Sequence, residues 1–209
     1  MQDYPDRAAL AAGVARVLAD ALRAALGRRE TVALAVPGGT TPGPVFDALS
    51  GADLDWGRVA VLPTDERDVP PDHPRSNARL IRERLLVGPA AAARLVPLDP
   101  AAVAPLLPLD VVLLGMGTDG HVASLFPGAD RLADALAADA PAVLRLTAPG
   151  APEPRLSLTS PVLAAARSAH LLITGAEKRA VLDRARQPGP VAALPVRAVL
   201  PGLTVHYAE

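Results

Sequence analysis

Apolar positions recur along this chain with two different periods. Between residues 6 and 26, Leu10, Val14, Val17, Leu18, Ala21, Leu22 and Leu26 return at steps that place them on one face of an α-helix. Gly27 closes that run. Short, mostly apolar stretches follow at 31–36, 59–62 and 109–114, of strand length and bounded by glycine, proline or charge. Residues 143–147, 155–159, 168–174 and 203–207 read as further strands, and 94–98 as an edge strand. Helices are expected at 45–49, 75–86, 130–138, 161–166 and 177–186. Residues 64–74 read as a charged loop, and the Pro/Gly-rich piece 187–201 as a surface connection. Strands that alternate with helices predict an α/β fold. We expect one domain over 1–209, built on a doubly wound, mostly parallel, Rossmann-like sheet with helices on both faces.

In such a sheet, ligands sit outside the carboxyl ends of the strands. Four loops meet that description: 37–42, 64–77, 115–121 and 174–178. Gly38-Gly39-Thr40-Thr41-Pro42 follows a strand and opens a helix. Its backbone N–H groups, hydroxyls and helix N-terminus suit a phosphate. The alternative is an ordinary turn with a threonine cap. Gly115-x-Gly117-x-x-Gly120 matches a dinucleotide fingerprint, but Pro127 cuts short the helix that should follow. That turn instead delivers Asp119 and His121 to a strand end. A carboxylate beside an imidazole can fix its tautomer and suits a general base, although a capping histidine is the plainer reading. His73 lies in a proline-rich loop, and His170 and His206 read as structural or solvent-facing. In Asp65-Glu66-Arg67, Arg67 could fork onto a phosphate, and Asp65 could act as a base or orient a substrate hydroxyl. A solvated charged loop is the bland counterpart. Ser76-Asn77 reads as a helix cap. No paired-ligand spacing supports a metal, and no Gly-x-Ser-x-Gly elbow supports a serine hydrolase.

Composition narrows the classes. A net charge of −1 with aromatics at 2% argues against nucleic acid as a partner. Without cysteine there is neither a disulfide nor a thiolate nucleophile, which fits the cytoplasm. The most apolar run, 96–114, is interrupted by prolines and aspartates, so no membrane span is expected. Lys178 is the only lysine in an arginine-rich chain. It is a candidate for a place where a compact, mobile charge serves better than a planar fork.

Taken together, these residues resemble the 6-phosphogluconolactonase family. The matching stretches are PGGTTP (37–42), DERDVPPDHPRSN (65–77), LLGMGTDGHVASLFPG (113–128), RLSLTSPVL (155–163) and TGAEK (174–178). They cover most of the chain in order, and the GMGTDGHVASLFP block is the specific one. The resemblance implies the phosphogluconolactonase/glucosamine-6-phosphate isomerase type of fold. It also implies a cytosolic enzyme of the oxidative pentose phosphate pathway, acting on a small sugar-phosphate lactone without metal or other cofactor. By position, Gly38, Gly39, Thr40 and Thr41 would cradle the 6-phosphate, with Arg67, Arg155 and Lys178 as cationic partners. His121 would be the general base and Asp119 its orienting group. Asp65, Asn77 and Gly117 complete the implied substrate-binding set. Pro37 stands where the family often has serine, and the chain is short for the family. The rivals are a glucosamine-6-phosphate deaminase and a non-catalytic sugar-phosphate binder. In the deaminases the acidic loop reads Asp-Glu-Tyr, and the Asp-Gly-His turn continues into Ile-Ala-Phe-Asn. Arg67 and the Ala-Ser-Leu-Phe-Pro continuation favour the lactonase.

Overall fold

A computed structural model describes residues 1–209. The chain begins with a two-residue strand, β1 (Gln2–Asp3), and the helix α1 (Arg7–Leu26). The Asp6 side chain caps α1 by accepting from the Ala9 N–H at 2.7 Å. Val14, Leu18 and Leu22 on its inner face are fully buried. Burying each is worth about 1.5–3 kcal/mol relative to exposure. The next elements are β2 (Val32–Val36), α2 (Gly43–Ser50), β3 (Val59–Pro63), β4 (Asp65–Arg67), α3 (Asn77–Arg84), β5 (Arg94–Leu95) and α4 (Pro100–Val103). The second half contains β6 (Val111–Gly115), α5 (Leu132–Leu136), β7 (Val143–Leu146), β8 (Arg155–Leu158), α6 (Ser160–Ala164), β9 (Ser168–Thr174), α7 (Ala176–Ala185) and β10 (Leu203–Ala208).

Seven strands form the main sheet in the order β1-β10-β9-β6-β2-β3-β5, all parallel. The chain lays down β2, β3 and β5 in one direction. It then returns to β6 and builds outward the other way. The order therefore reverses between β2 and β6, and the carboxyl ends there open a crevice.

Side chains alternate across the sheet. Val32, Leu34 and Val36 join the core beneath α1, α2 and α3. Ala33, Ala35 and Ala60 face the other core, which also takes in Val181 and Leu182 of α7. A strand buried on both faces reads as continuous hydrophobicity, which is why β2, β3 and β6 are uniformly apolar. Asp110 is the exception at the foot of β6. It is 3% exposed; its Oδ2 accepts the Ala33 N–H at 2.9 Å, and Arg29 and Arg167 approach Oδ1 at 3.5 Å.

The doubly wound, mostly parallel sheet is as expected, with differences in detail, among them an edge strand cut from 94–98 to 94–95. Residues 143–146 and 155–158 pair antiparallel with β4 in a separate three-stranded sheet rather than joining the main one. That small sheet takes the place of some of the helical cover on one face. Residues 65–67, read as loop, are its edge strand. Apolar periodicity does not show this, because Asp65 is buried against hydrogen-bond donors and not for hydrophobicity. The helices expected at 75–86 and 130–138 are trimmed to 77–84 and 132–136. Finally, 187–201 is more than a surface connection: Pro195, Val196 and Val199 are buried, and the Val196 N–H donates to the Gly120 carbonyl at 2.9 Å.

Candidate active site

The loops after β2 and β6 flank the reversal of strand order, and a Cβ built on Gly115 would stand 4.0 Å from the Cβ of Pro37. A cavity of about 400 Å³ opens there. Gly38, Gly39, Thr40, Thr41, Asp65, Arg67, Asn77, Gly117, His121, Arg155 and Lys178 all line it. The structure thus gathers nearly the whole expected set into one place. Asp119 is the one member outside the lining. It stands behind His121, with Oδ1 2.6 Å from Nδ1.

The imidazole is held on three sides. The Asp119 carboxylate takes Nδ1, and the Phe126 ring lies 3.9 Å away centre to centre, tilted by 30°. Gly117 passes beneath. A Cβ there would come within 2.2 Å of Nδ1, so any other residue would displace the ring. Nε2 carries no hydrogen bond from the protein. Partial burial pushes the Asp119 carboxyl up. The hydrogen bond and charge of His121, with the backbone N–H groups of His121 and Asp119, outweigh it and hold the group below the ordinary carboxylate value.

The anion side lines the same cavity as this imidazole. After β2 the chain turns through Gly39, whose φ of 90° favours glycine, and delivers Thr40 and Thr41 ahead of α2. Lys178 sits in the first turn of α7, which Gly175 enters with a φ of 84°. Arg67 and Arg155 lie opposite each other on the paired strands β4 and β8. Nε of each is buried without a partner. Burial pushes the Arg155 guanidinium down and the Arg67 and Arg75 charges add to this, against Asp65 and Glu66. Three cations thus face the cavity against one carboxylate, Asp65. Such a site favours an anion.

Other residues take structural parts. Glu66 does not face the cavity. It accepts from the backbone N–H groups of Arg67, Asn77 and Ala78 at 2.7–2.8 Å and caps the start of α3. Ser76 caps the same helix through the Arg79 N–H at 3.2 Å, as the sequence indicates. Asn77 packs so closely on Gly38 that a Cβ there would meet its Oδ1 at 1.9 Å, and its Nδ2 donates to the Asp65 carbonyl at 2.7 Å. Asn77 therefore braces two walls of the site. His73 is bonded within its own turn, while His170 and His206 are buried. No group of three His, Asp or Glu is placed to hold a metal ion. The sequence reading missed Phe126, Ala123 and Ser124. They belong to the motif that carried His121, but apolar and small residues there give no chemical signal of their own.

Known proteins resemble this chain over nearly its whole length. The model of the glucosamine-6-phosphate isomerases/6-phosphogluconolactonase family matches residues 5–207. A 6-phosphogluconolactonase of Rhizobium meliloti is 45% identical, covering 96% of this chain and 93% of that protein. One from Pseudomonas aeruginosa is 42% identical over 99% of this chain and 94% of its own. The crystal structure of a 6-phosphogluconolactonase from Shewanella baltica superposes with a TM-score of 0.92 at 32% identity, covering all of this chain and 97% of the other. A monomeric glucosamine-6-phosphate deaminase shares the fold, with a TM-score of 0.81 at 17% identity over 99% of this chain and 95% of the other. On sequence and structure alike, the chain belongs to the glucosamine-6-phosphate isomerase/6-phosphogluconolactonase family.

Proposed function

We propose that this protein is a 6-phosphogluconolactonase of the oxidative pentose phosphate pathway, hydrolysing 6-phospho-D-glucono-1,5-lactone to 6-phospho-D-gluconate. The observation that carries the reading is the placement of His121 in one cavity with Thr40, Thr41 and Lys178, in a chain 45% identical to a lactonase.

A lactone is an activated ester, so hydrolysis needs a water deprotonated and an oxyanion stabilised, with no covalent nucleophile. His121 Nε2 takes a proton from water as its oxygen bonds to C1. The tetrahedral intermediate collapses with cleavage of the bond from C1 to the ring oxygen, and the proton on Nε2 passes to that oxygen. Asp119 holds Nδ1–H and balances the imidazolium formed midway. The 6-phosphate sits against the 38–41 turn, with Lys178, Arg67 and Arg155 as counter-charges. Fixing one end of the ring in this way places C1 near His121, and such positioning can supply a large part of the acceleration. The reading carries with it a cytoplasmic location; no helix is long and apolar enough to cross a membrane.

The test is consumption of freshly generated phosphogluconolactone, measured against its spontaneous hydrolysis. A rate far above background is expected, and unchanged by EDTA. Ammonia release from glucosamine-6-phosphate in place of lactone turnover would instead make the protein a deaminase.

A further inference from the structure

We propose that Ser124 is a positioning residue for this reaction, acting through Asp65; the inference rests on the lactonase reading. Asp65 is the one carboxylate that lines the cavity, yet it is only 7% exposed. A buried carboxylate needs donors. The Ser124 hydroxyl donates to Oδ2 at 2.5 Å. The remaining contacts are far longer: Asn77 Nδ2 at 3.4 Å and Thr64 Oγ1 at 3.5 Å to Oδ1, and Arg155 at 3.9 Å to Oδ2. By distance, Ser124 is the strong bond and sets the carboxylate's orientation.

The chain goes to some trouble to bring Ser124 there. Ala123 is the only non-glycine residue in the left-handed region, at φ 49°, a conformation that costs an alanine energy. The tight turn it makes is closed by the bridge between Val122 and Leu125 and leaves Ser124 fully buried. The Ser124 N–H then donates to Ser157 Oγ at 3.1 Å, and that hydroxyl donates onward to the Leu158 carbonyl at 2.9 Å. Each hydroxyl has one hydrogen. Asp65 Oδ2 is the one acceptor bonded to Ser124 Oγ, so the single hydroxyl hydrogen of Ser124 goes to Asp65. One residue thus ties together the turn that carries His121, β4 with Asp65 and Arg67, and β8 with Arg155.

Fixed in this way, Asp65 presents lone pairs to the cavity as an acceptor for a hydroxyl of the sugar ring, and so turns C1 toward His121. Without the Ser124 hydroxyl the carboxylate is free to close on Arg155, which occupies both groups with each other.

The experiment is a double-mutant cycle with Ser124→Ala and Asp65→Asn, read as kcat and KM for the phosphorylated lactone, with melting temperature and inhibition by inorganic phosphate measured alongside. Ser124→Ala should lower kcat/KM about tenfold, mostly in kcat, with phosphate inhibition unchanged. Asp65→Asn should lose more, and the double variant no more than Asp65→Asn alone. Ser124→Cys, which keeps the side-chain shape with a slightly larger atom but donates poorly, supplies the same reading should the alanine variant not fold. An active wild type with equally active Ser124 variants overturns the role of Ser124, as does a double variant whose loss is the product of the two single losses. A wild type without turnover overturns the proposed reaction itself.

Discussion

One oxygen of Asp119 receives two bonds from His121: Nδ1 at 2.6 Å and the backbone N–H at 3.1 Å. The two together fix where the ring stands and which way it is turned. With Nδ1 donating to the carboxylate, Nε2 of the neutral imidazole is the basic atom. That tautomer follows from the acceptor it faces. His121→Ala should therefore lower kcat by two or more orders of magnitude while KM changes little. Asp119→Ala should cost less, about ten- to a hundredfold, because the base remains but loses its orientation. The double variant should be no worse than His121→Ala. Steady-state kinetics on the three proteins decide this. Equal losses of binding and turnover would instead give His121 a structural role.

Gly117→Ala tests the same arrangement through the backbone. The added methyl would lie 2.2 Å from His121 Nδ1 and 2.6 Å from Asp119 Oδ1. The three nearest atoms all belong to the His121 and Asp119 side chains, so the ring should swing aside while the fold survives. The expected outcome is a kcat loss approaching that of His121→Ala, with a melting temperature within a few degrees of wild type. Retention of full activity would show that the ring need not stand where the structure has it.

The contrast between these residues and Asp65 shows how far the sequence could be read. The main sheet was legible because β2, β3 and β6 are buried on both faces and their apolar runs admit little else. Four loops at strand ends then led to the cavity without any knowledge of strand order. The antiparallel sheet was not legible. β4 is Asp-Glu-Arg, and its pairing with β8 is decided by what Asp65, Glu66 and Arg67 bind rather than by periodicity. Glu66 illustrates the limit: four hydrogen bonds to the start of α3 and nearby backbone occupy it, and no periodicity marks that part. The Pro/Gly-rich 187–201 piece misled in the opposite sense. Its Leu194 packs on Gly120 and so supports the His121 turn from outside.

Lys178 and Arg67 should act on binding before chemistry. Lys178→Ala and Arg67→Ala are each expected to raise KM strongly, with a smaller loss of kcat from misplacement of C1. Both should weaken inhibition by inorganic phosphate. Lys178→Arg should recover little, because a planar fork in the first turn of α7 cannot replace a compact ammonium. Comparison of phosphorylated and unphosphorylated lactone completes the test. If wild type turned over both equally well, the anion side of the cavity would have no part in catalysis.

A separate pH dependence is built in outside the cavity lining. His170 and His206 are 4% and 0% exposed and lie on neighbouring strands β9 and β10. Their rings continue a chain of hydrogen bonds from Ser168 Oγ to His170 Nε2 (2.9 Å), His170 Nδ1 to His206 Nε2 (3.1 Å), and His206 Nδ1 to Tyr4 Oη (3.0 Å), which donates to Gln2 at 3.0 Å. Two neutral rings satisfy every link in one direction. A proton added to His206 Nε2 would point at the N–H of His170. Burial, with the charges of His170 and the N-terminal amine, pushes His206 down to about 4, and burial lowers His170 as well. The unfolded chain binds these protons near pH 6.5 and the folded one does so only at lower pH. Stability contributed by the neutral pair is therefore present above about pH 6.5 and lost as pH falls toward 4, by about 3 kcal/mol for His206. For a chain of this length that is on the order of 10 °C in melting temperature. His206→Gln should be less stable than wild type at pH 7.5, yet show a shallower decline between pH 6.5 and 4.5. Parallel declines in the two proteins would place the acid sensitivity elsewhere, among the carboxylates.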